Sequence, residues 1–119
     1  MEVKSRDMKR LIKATFPDYR KRTLRIEPTT QVRFMDLNWS GGTRSEYRAC
    51  TITGQSIENR VNMSGPAPWN NPFEGKIIDL PEGAVVVEGG YFCGKPRQLR
   101  VYVHPNDMPK MLTCYPQLA

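Results

Sequence analysis

The apolar positions of this chain change period once, near residue 23. In residues 5–15, Met8, Leu11 and Ile12, followed by Thr15, recur at the three- and four-residue spacing of a helix. Ser5 is a capping residue type, and Asp7 falls in the first turn, where a carboxylate suits the helix dipole. Lys9, Arg10 and Lys13 fall outside the apolar stripe and are expected in solvent. Phe16-Pro17 ends the helix, because the residue before a proline avoids helical geometry.

From residue 23 onward the pattern alternates. Strands are predicted over residues 23–26, 31–37, 44–53, 57–61, 76–80, 84–88 and 98–103. In 44–53, Arg48, Cys50 and Ile52 share one face, with Tyr47, Ala49 and Thr51 on the other. The unbroken Val85-Val86-Val87 run predicts a strand covered on both sides. Turn chemistry separates the strands at Gly41-Gly42, at Thr53-Gly54-Gln55 and at Pro81-Glu82-Gly83. The first strands read as an antiparallel meander. Pro66, Pro68 and Pro72 exclude a central strand from residues 64–73, since proline lacks the ladder donor. That stretch reads as a long ordered loop pinned by Trp69 and Phe73. Residues 89–97 read as a glycine-containing loop. Asn106 is the expected cap of a last helix over 105–113, with Met108, Met111 and Leu112 inward and Pro109 in its first turn.

These elements predict a mainly β, α+β fold: a small antiparallel barrel or rolled sheet of six to seven strands, with a short helix at each end. A length of 119 residues suits one domain. It divides into a basic N-terminal helix and turn (1–22), a β body (23–103) and a short C-terminal helix (105–113). No stretch approaches the ~18 apolar residues of a membrane span, and no apolar run follows the N-terminal charges as in a secretory signal. No membrane partner is expected, and the localisation read is cytoplasmic.

Charge sharpens this picture. Residues 1–25 hold nine Lys and Arg against Glu2, Asp7 and Asp18, a net +6, which equals the formal charge of the whole chain. Residues 26–119 balance to zero. A neutral body carrying a basic segment fits an anionic partner, either nucleic acid or an acidic host protein. The candidate nucleic-acid contacts are Lys9, Arg10, Lys13, Arg20, Lys21 and Arg22. Arg44 and Arg48 beside Trp39 add the basic and aromatic mix that holds single strands.

Other chemistry is weakly signalled. Gly89-Gly90-Tyr91-Phe92-Cys93-Gly94-Lys95 matches the literal pattern of a phosphate-binding loop. Pro96 follows where a metal-holding hydroxyl is needed, and a strand follows where a helix is needed. Cys93 and the single histidine, His104, are expected at opposite ends of a hairpin arm, too far apart for a nucleophile and base. Cys50, Cys93 and Cys114 lack zinc spacing. Asp36, Glu46, Glu74, Asp79 and Glu88 read as solvated strand-face carboxylates. No catalytic residue, metal site or cofactor is read.

Several fragments carry a resemblance: Phe16-Pro17-Asp18-Tyr19-Arg20, Trp39-Ser40-Gly41-Gly42-Thr43-Arg44, Pro68-Trp69-Asn70-Asn71-Pro72, and Tyr91-Phe92-Cys93-Gly94-Lys95 with Tyr102-Val103-His104-Pro105. Together they resemble small uncharacterised proteins encoded by bacteriophages and other mobile elements. The resemblance implies a phage-type accessory protein in the host cytoplasm, and it assigns no activity and no site residue. The expected function is thus non-catalytic binding of nucleic acid through the basic segment. One alternative is a protein-interaction module that inhibits a host enzyme or defence factor, using the Trp39 turn and the 66–73 loop. A third reading is a nucleotide-binding protein using the 89–95 segment.

Overall fold

A computed structural model describes residues 5–33, 43–55, 77–92 and 95–115. Helix α1 spans Ser5–Thr15, where the apolar stripe places it. Met8 and Ile12 are buried, and Leu11 packs against the same core. Among the described residues six strands follow: β1 Leu24–Pro28, β2 Gln31–Arg33, β3 Thr43–Thr51, β4 Ile77–Asp79, β5 Ala84–Phe92 and β6 Lys95–Val103. A 3-10 turn, Pro105–Asp107, leads into helix α2, Met108–Cys114.

The strands form a four-stranded sheet in the order β1-β6-β5-β3 and a separate two-stranded ribbon, β2-β4. One face of the sheet presents Cys50, Ile52, Val85, Val87, Leu99, Val101 and Val103. This face packs against Met8, Ile12 and Phe16 from the α1 side and Met111, Cys114 and Tyr115 from the α2 side. The opposite face presents Tyr47, Ala49, Ala84 and Val86 to Val32 of β2 and to Leu80 just beyond β4. The three consecutive valines of β5 are therefore buried on alternate sides, as their unbroken run predicts. Each contributes about 1.5–3 kcal/mol by full burial.

The fold is mainly β with two helices, and the sheet is mixed where an antiparallel one was expected. β1 runs parallel to β6, with Leu24 opposite Leu99 and Ile26 opposite Val101. β2 pairs with β4 and β3 with β5, both antiparallel. Among the described residues, β1, β2 and β3 pair with distant strands and not with one another as the expected meander required, and only β5 and β6 pair as sequence neighbours. Among the described residues the sheet does not close into a barrel. The physical reason is that alternation specifies which side of a strand is buried and says nothing about its partner. The rest of the strand expected over 31–37, the strand over 57–61, the loop over 64–73 with Trp69, and the Trp39 turn lie outside the described residues.

A second correction concerns the glycine segment. Gly89 and Gly90 are strand residues of β5, not a loop, and β6 begins at Lys95. The ladder shifts register between Gly89 and Tyr91. Gly89 is needed for space: a Cβ there would lie 2.8 Å from both Phe16 Cδ1 and Arg22 Nη1. The Phe16 ring rests where that side chain would be, and a strand glycine often marks such close approach.

The C-terminal segment also differs in detail. His104, not Asn106, is the cap: its Nδ1 accepts the backbone N–H of Asn106 at 3.2 Å. The Asn106 amide reaches Glu82 Oε1 at 2.7 Å instead. Buried Asp107 accepts the Gly83 N–H at 2.7 Å, tying the start of α2 to the turn before β5.

Candidate nucleic-acid interface

The basic segment is built by α1 and the bend that follows it. Met8, Ile12 and Phe16 face the core, so Arg6, Lys9, Arg10 and Lys13 are left exposed. Lys9 and Lys13 are four residues apart and share one side of the helix. Like charges at this spacing weaken a helix by about 0.2–0.5 kcal/mol. Arg6 also sits in the first turn of α1, where the helix dipole disfavours a cation. Helix stability does not account for this arrangement.

Phe16 closes the helix with its N–H on the Ile12 carbonyl at 2.7 Å, and Pro17 prevents continuation. The chain then turns through a 3-10 turn, Tyr19–Lys21. Three bonds hold it: Tyr19 N–H to Phe16 O at 2.9 Å, Lys21 N–H to Asp18 O at 2.9 Å, and Arg22 N–H to Tyr19 O at 3.1 Å. This turn sends Arg20 and Lys21 outward and Arg22 inward.

Arg22 therefore departs from the surface role expected of it. Its side chain is fully buried, and its Nη2 lies 3.0 Å from Asp18 Oδ1 and 3.1 Å from Oδ2. Its guanidinium carbon sits 5.2 Å from the centre of the Phe16 ring. Arg22 is an internal clamp that joins the end of α1 to the entry of β1. It is out of reach of a phosphate.

Tyr19 is the residue that sequence reasoning missed. Arg20 Nε donates to its hydroxyl at 3.0 Å, and the guanidinium carbon lies 5.7 Å from the ring centre. The Tyr19 hydroxyl is made more acidic than usual, first by that hydrogen bond. Partial desolvation opposes the shift; the charges of Arg20, Lys13 and Lys9 add to it. Arg20 of the turn therefore contacts one aromatic residue, whose hydroxyl also feels the charges on α1. The sequence signal was an aromatic at the head of the run Tyr19-Arg20-Lys21-Arg22. Among the described residues the ion pairs are Arg22–Asp18 and Arg25–Glu27, so Lys9, Arg10, Lys13 and Lys21 pair with no carboxylate there.

The remaining candidates are more scattered. Arg48 is exposed on β3 and stands opposite Val87, so it emerges on the helix-covered side of the sheet at the edge away from β1. Arg44 lies in β3 opposite Tyr91. Trp39 lies outside the described residues. An open groove of about 470 Å³ runs between α1 and the turn after β3, lined by Asp7, Arg10, Leu11, Ala14, Thr53, Gly54 and Gln55. Gly54 takes a φ of +91° and presses against the Asp7 carbonyl, so only glycine suits that wall.

Glu88 is not the solvated carboxylate expected from its strand position. It is buried, and it accepts hydrogen bonds from the Tyr47 hydroxyl at 3.4 Å and from the Tyr102 hydroxyl. Burial and the Glu88 charge push the Tyr102 hydroxyl well above its ordinary value. Gly89 and Gly90 sit in strand pairing, not in a phosphate cradle preceding a helix. Among the described residues no group of three metal-ligating side chains comes together, and no helix is long and apolar enough to cross a membrane. Comparison with known proteins finds no matching family model, no similar curated protein and no similar solved structure.

Proposed function

We propose that this chain is a non-catalytic nucleic-acid-binding protein of the phage accessory type. Its contact surface is the exposed face of α1 and the turn after it: Lys9, Arg10, Lys13, Arg20 and Lys21. Arg48 extends this surface on the helix side of the sheet, and Arg44 and Trp39 belong to the same proposal. The observation that carries the reading is the set of exposed cations on α1 and the turn after it, Lys9, Arg10, Lys13, Arg20 and Lys21, whose lysines pair with no carboxylate among the described residues. Such an array attracts phosphates and gains free energy by releasing their counterions.

The test is fluorescence anisotropy of labelled DNA and RNA at several salt concentrations. Each phosphate contact adds about 0.7–0.9 to the steepness of log K against log salt. Five contacts give a slope of roughly −3.5 to −4.5. Changing Lys9, Lys13 and Lys21 to Ser is expected to weaken binding across all sequences and to flatten the slope by roughly 2–3. A wild-type protein that binds no nucleic acid at low salt, or a stripped variant with an unchanged slope, overturns the proposal. An acidic protein is then the partner class to pursue.

A further inference from the structure

We infer that the surface selects single-stranded nucleic acid, with one unpaired base stacking on the Arg20 guanidinium that Tyr19 holds in place. This inference rests on the nucleic-acid reading above and deepens it. A row of cations alone serves a duplex as well as a single strand, because both present phosphates. What distinguishes them is the base face, which is covered within a duplex and open in a single strand.

The Tyr19–Arg20 pair supplies a partner for that face. An arginine at a purely electrostatic contact needs no fixed plane. Here the Nε–H is committed to the Tyr19 hydroxyl at 3.0 Å, and the guanidinium sits beside the tyrosine ring. Its remaining donors and its flat face are still available. Guanidinium planes and aromatic rings are the surfaces on which unpaired bases stack. The pair is also ordered in advance. Tyr19 is hydrogen-bonded through its backbone to Phe16 and Arg22, and Arg22 is locked between the Phe16 ring and Asp18. Little entropy is then lost when a base arrives. In this reading the exposed Lys9 and Lys13 of the preceding helix hold phosphates of the same strand.

The experiment uses the full chain with labelled oligo(dT) and oligo(U), each alone and annealed to its complement. Arg20→Lys keeps the charge and removes the plane. It is expected to weaken single-strand binding by roughly five- to one-hundred-fold, the range of a lost base stack. Duplex affinity and the salt slope are expected to stay within about twofold of wild type. Tyr19→Phe keeps the ring, removes the hydroxyl that holds Arg20, and shifts single-strand binding in the same direction by less. Circular dichroism of both variants checks that they fold; Arg20 is exposed and its replacement leaves the core intact. Equal binding of single strand and duplex, with Arg20→Lys affecting neither, overturns the stacking inference and leaves the nucleic-acid reading standing. Absence of binding to any of the four probes at low salt removes both.

Discussion

Gly89→Ala tests how the strand packs against the end of α1. The new methyl would overlap Phe16 Cε1, its nearest neighbour, and lie 2.8 Å from both Phe16 Cδ1 and Arg22 Nη1. Carbon atoms prefer about 3.5–4.0 Å. Phe16 is 1% exposed, so its ring has no solvent to swing into, and Arg22 is tied to Asp18. Overpacking of this kind costs about 1–3 kcal/mol. One effect opposes it: Gly89 sits in ordinary strand geometry, so alanine stiffens the unfolded chain and stabilises by about 0.4–1 kcal/mol. The clash wins, because neither neighbour can move freely, and a net loss of about 1–2 kcal/mol is expected. That corresponds to a fall in Tm of roughly 3–10 °C for a chain of this size. Urea unfolding followed by circular dichroism measures it, with a lower midpoint and an unchanged slope expected. Phe16→Leu makes room, so the cost of Gly89→Ala is expected to shrink by at least ~0.5 kcal/mol in that background. A Gly89→Ala protein as stable as its parent, or one equally destabilised with Leu at 16, refutes the argument.

Two further predictions concern groups inside the molecule. Arg22→Ala is expected to destabilise by an amount between the ~1 kcal/mol of an exposed ion pair and the ~3–5 kcal/mol of a buried one, since Asp18 is partly exposed; the salt slope of any nucleic-acid binding is expected to stay unchanged, and a flatter slope would return Arg22 to the surface. Burial pushes the Cys50 thiol from 9.0 up to about 12, so its contribution to stability is complete below pH 9 and is lost as pH rises from about 9 toward 12. Urea midpoints between pH 8 and 11 are expected to fall with pH, and to fall less steeply in Cys50→Ala; parallel curves for the two proteins count against it.

Much of the fold was legible where one element's burial depends on its own pattern. The stripe of Met8, Leu11 and Ile12 with the Phe16-Pro17 stop located α1 at both ends. Alternation placed Tyr47 and Ala49 on one side of β3 and Cys50 and Ile52 on the other. The valine run marked the strand buried on both sides. Reading failed where the answer depends on a distant partner. Nothing in Leu24 or Ile26 says that β1 lies parallel to β6. Gly89-Gly90 reads as a loop because glycine usually marks one; here it is the missing side chain under Phe16, visible only once helix and strand are packed. Arg20 and Arg22 look alike in the sequence. Their different environments follow from one 3-10 turn, and the Asp18-to-Arg22 spacing of four was the available clue. Glu88 reads as solvated because its two tyrosine partners come from β3 and β6.

The clamp and the surface depend on each other through charge. Asp18 is the only carboxylate between Asp7 and Glu27. Left exposed and unengaged, it would be a near neighbour for Arg20 or Lys21, and an anion there would lower the potential that a phosphate meets. Arg22 takes both of its oxygens from the inner side. Arg22 thus engages the anion nearest in sequence, and among the described residues the exposed lysines of α1 and the turn keep their charge without a paired carboxylate. The same contact fixes the turn that presents Arg20 against Tyr19. Burying Arg22 on Phe16 requires the bare backbone of Gly89 beneath. A strand glycine, an internal ion pair and an exposed basic face are therefore linked by contact. A disturbance at Gly89 should reach the surface through the orientation of Arg20, leaving the charges on α1 where they are.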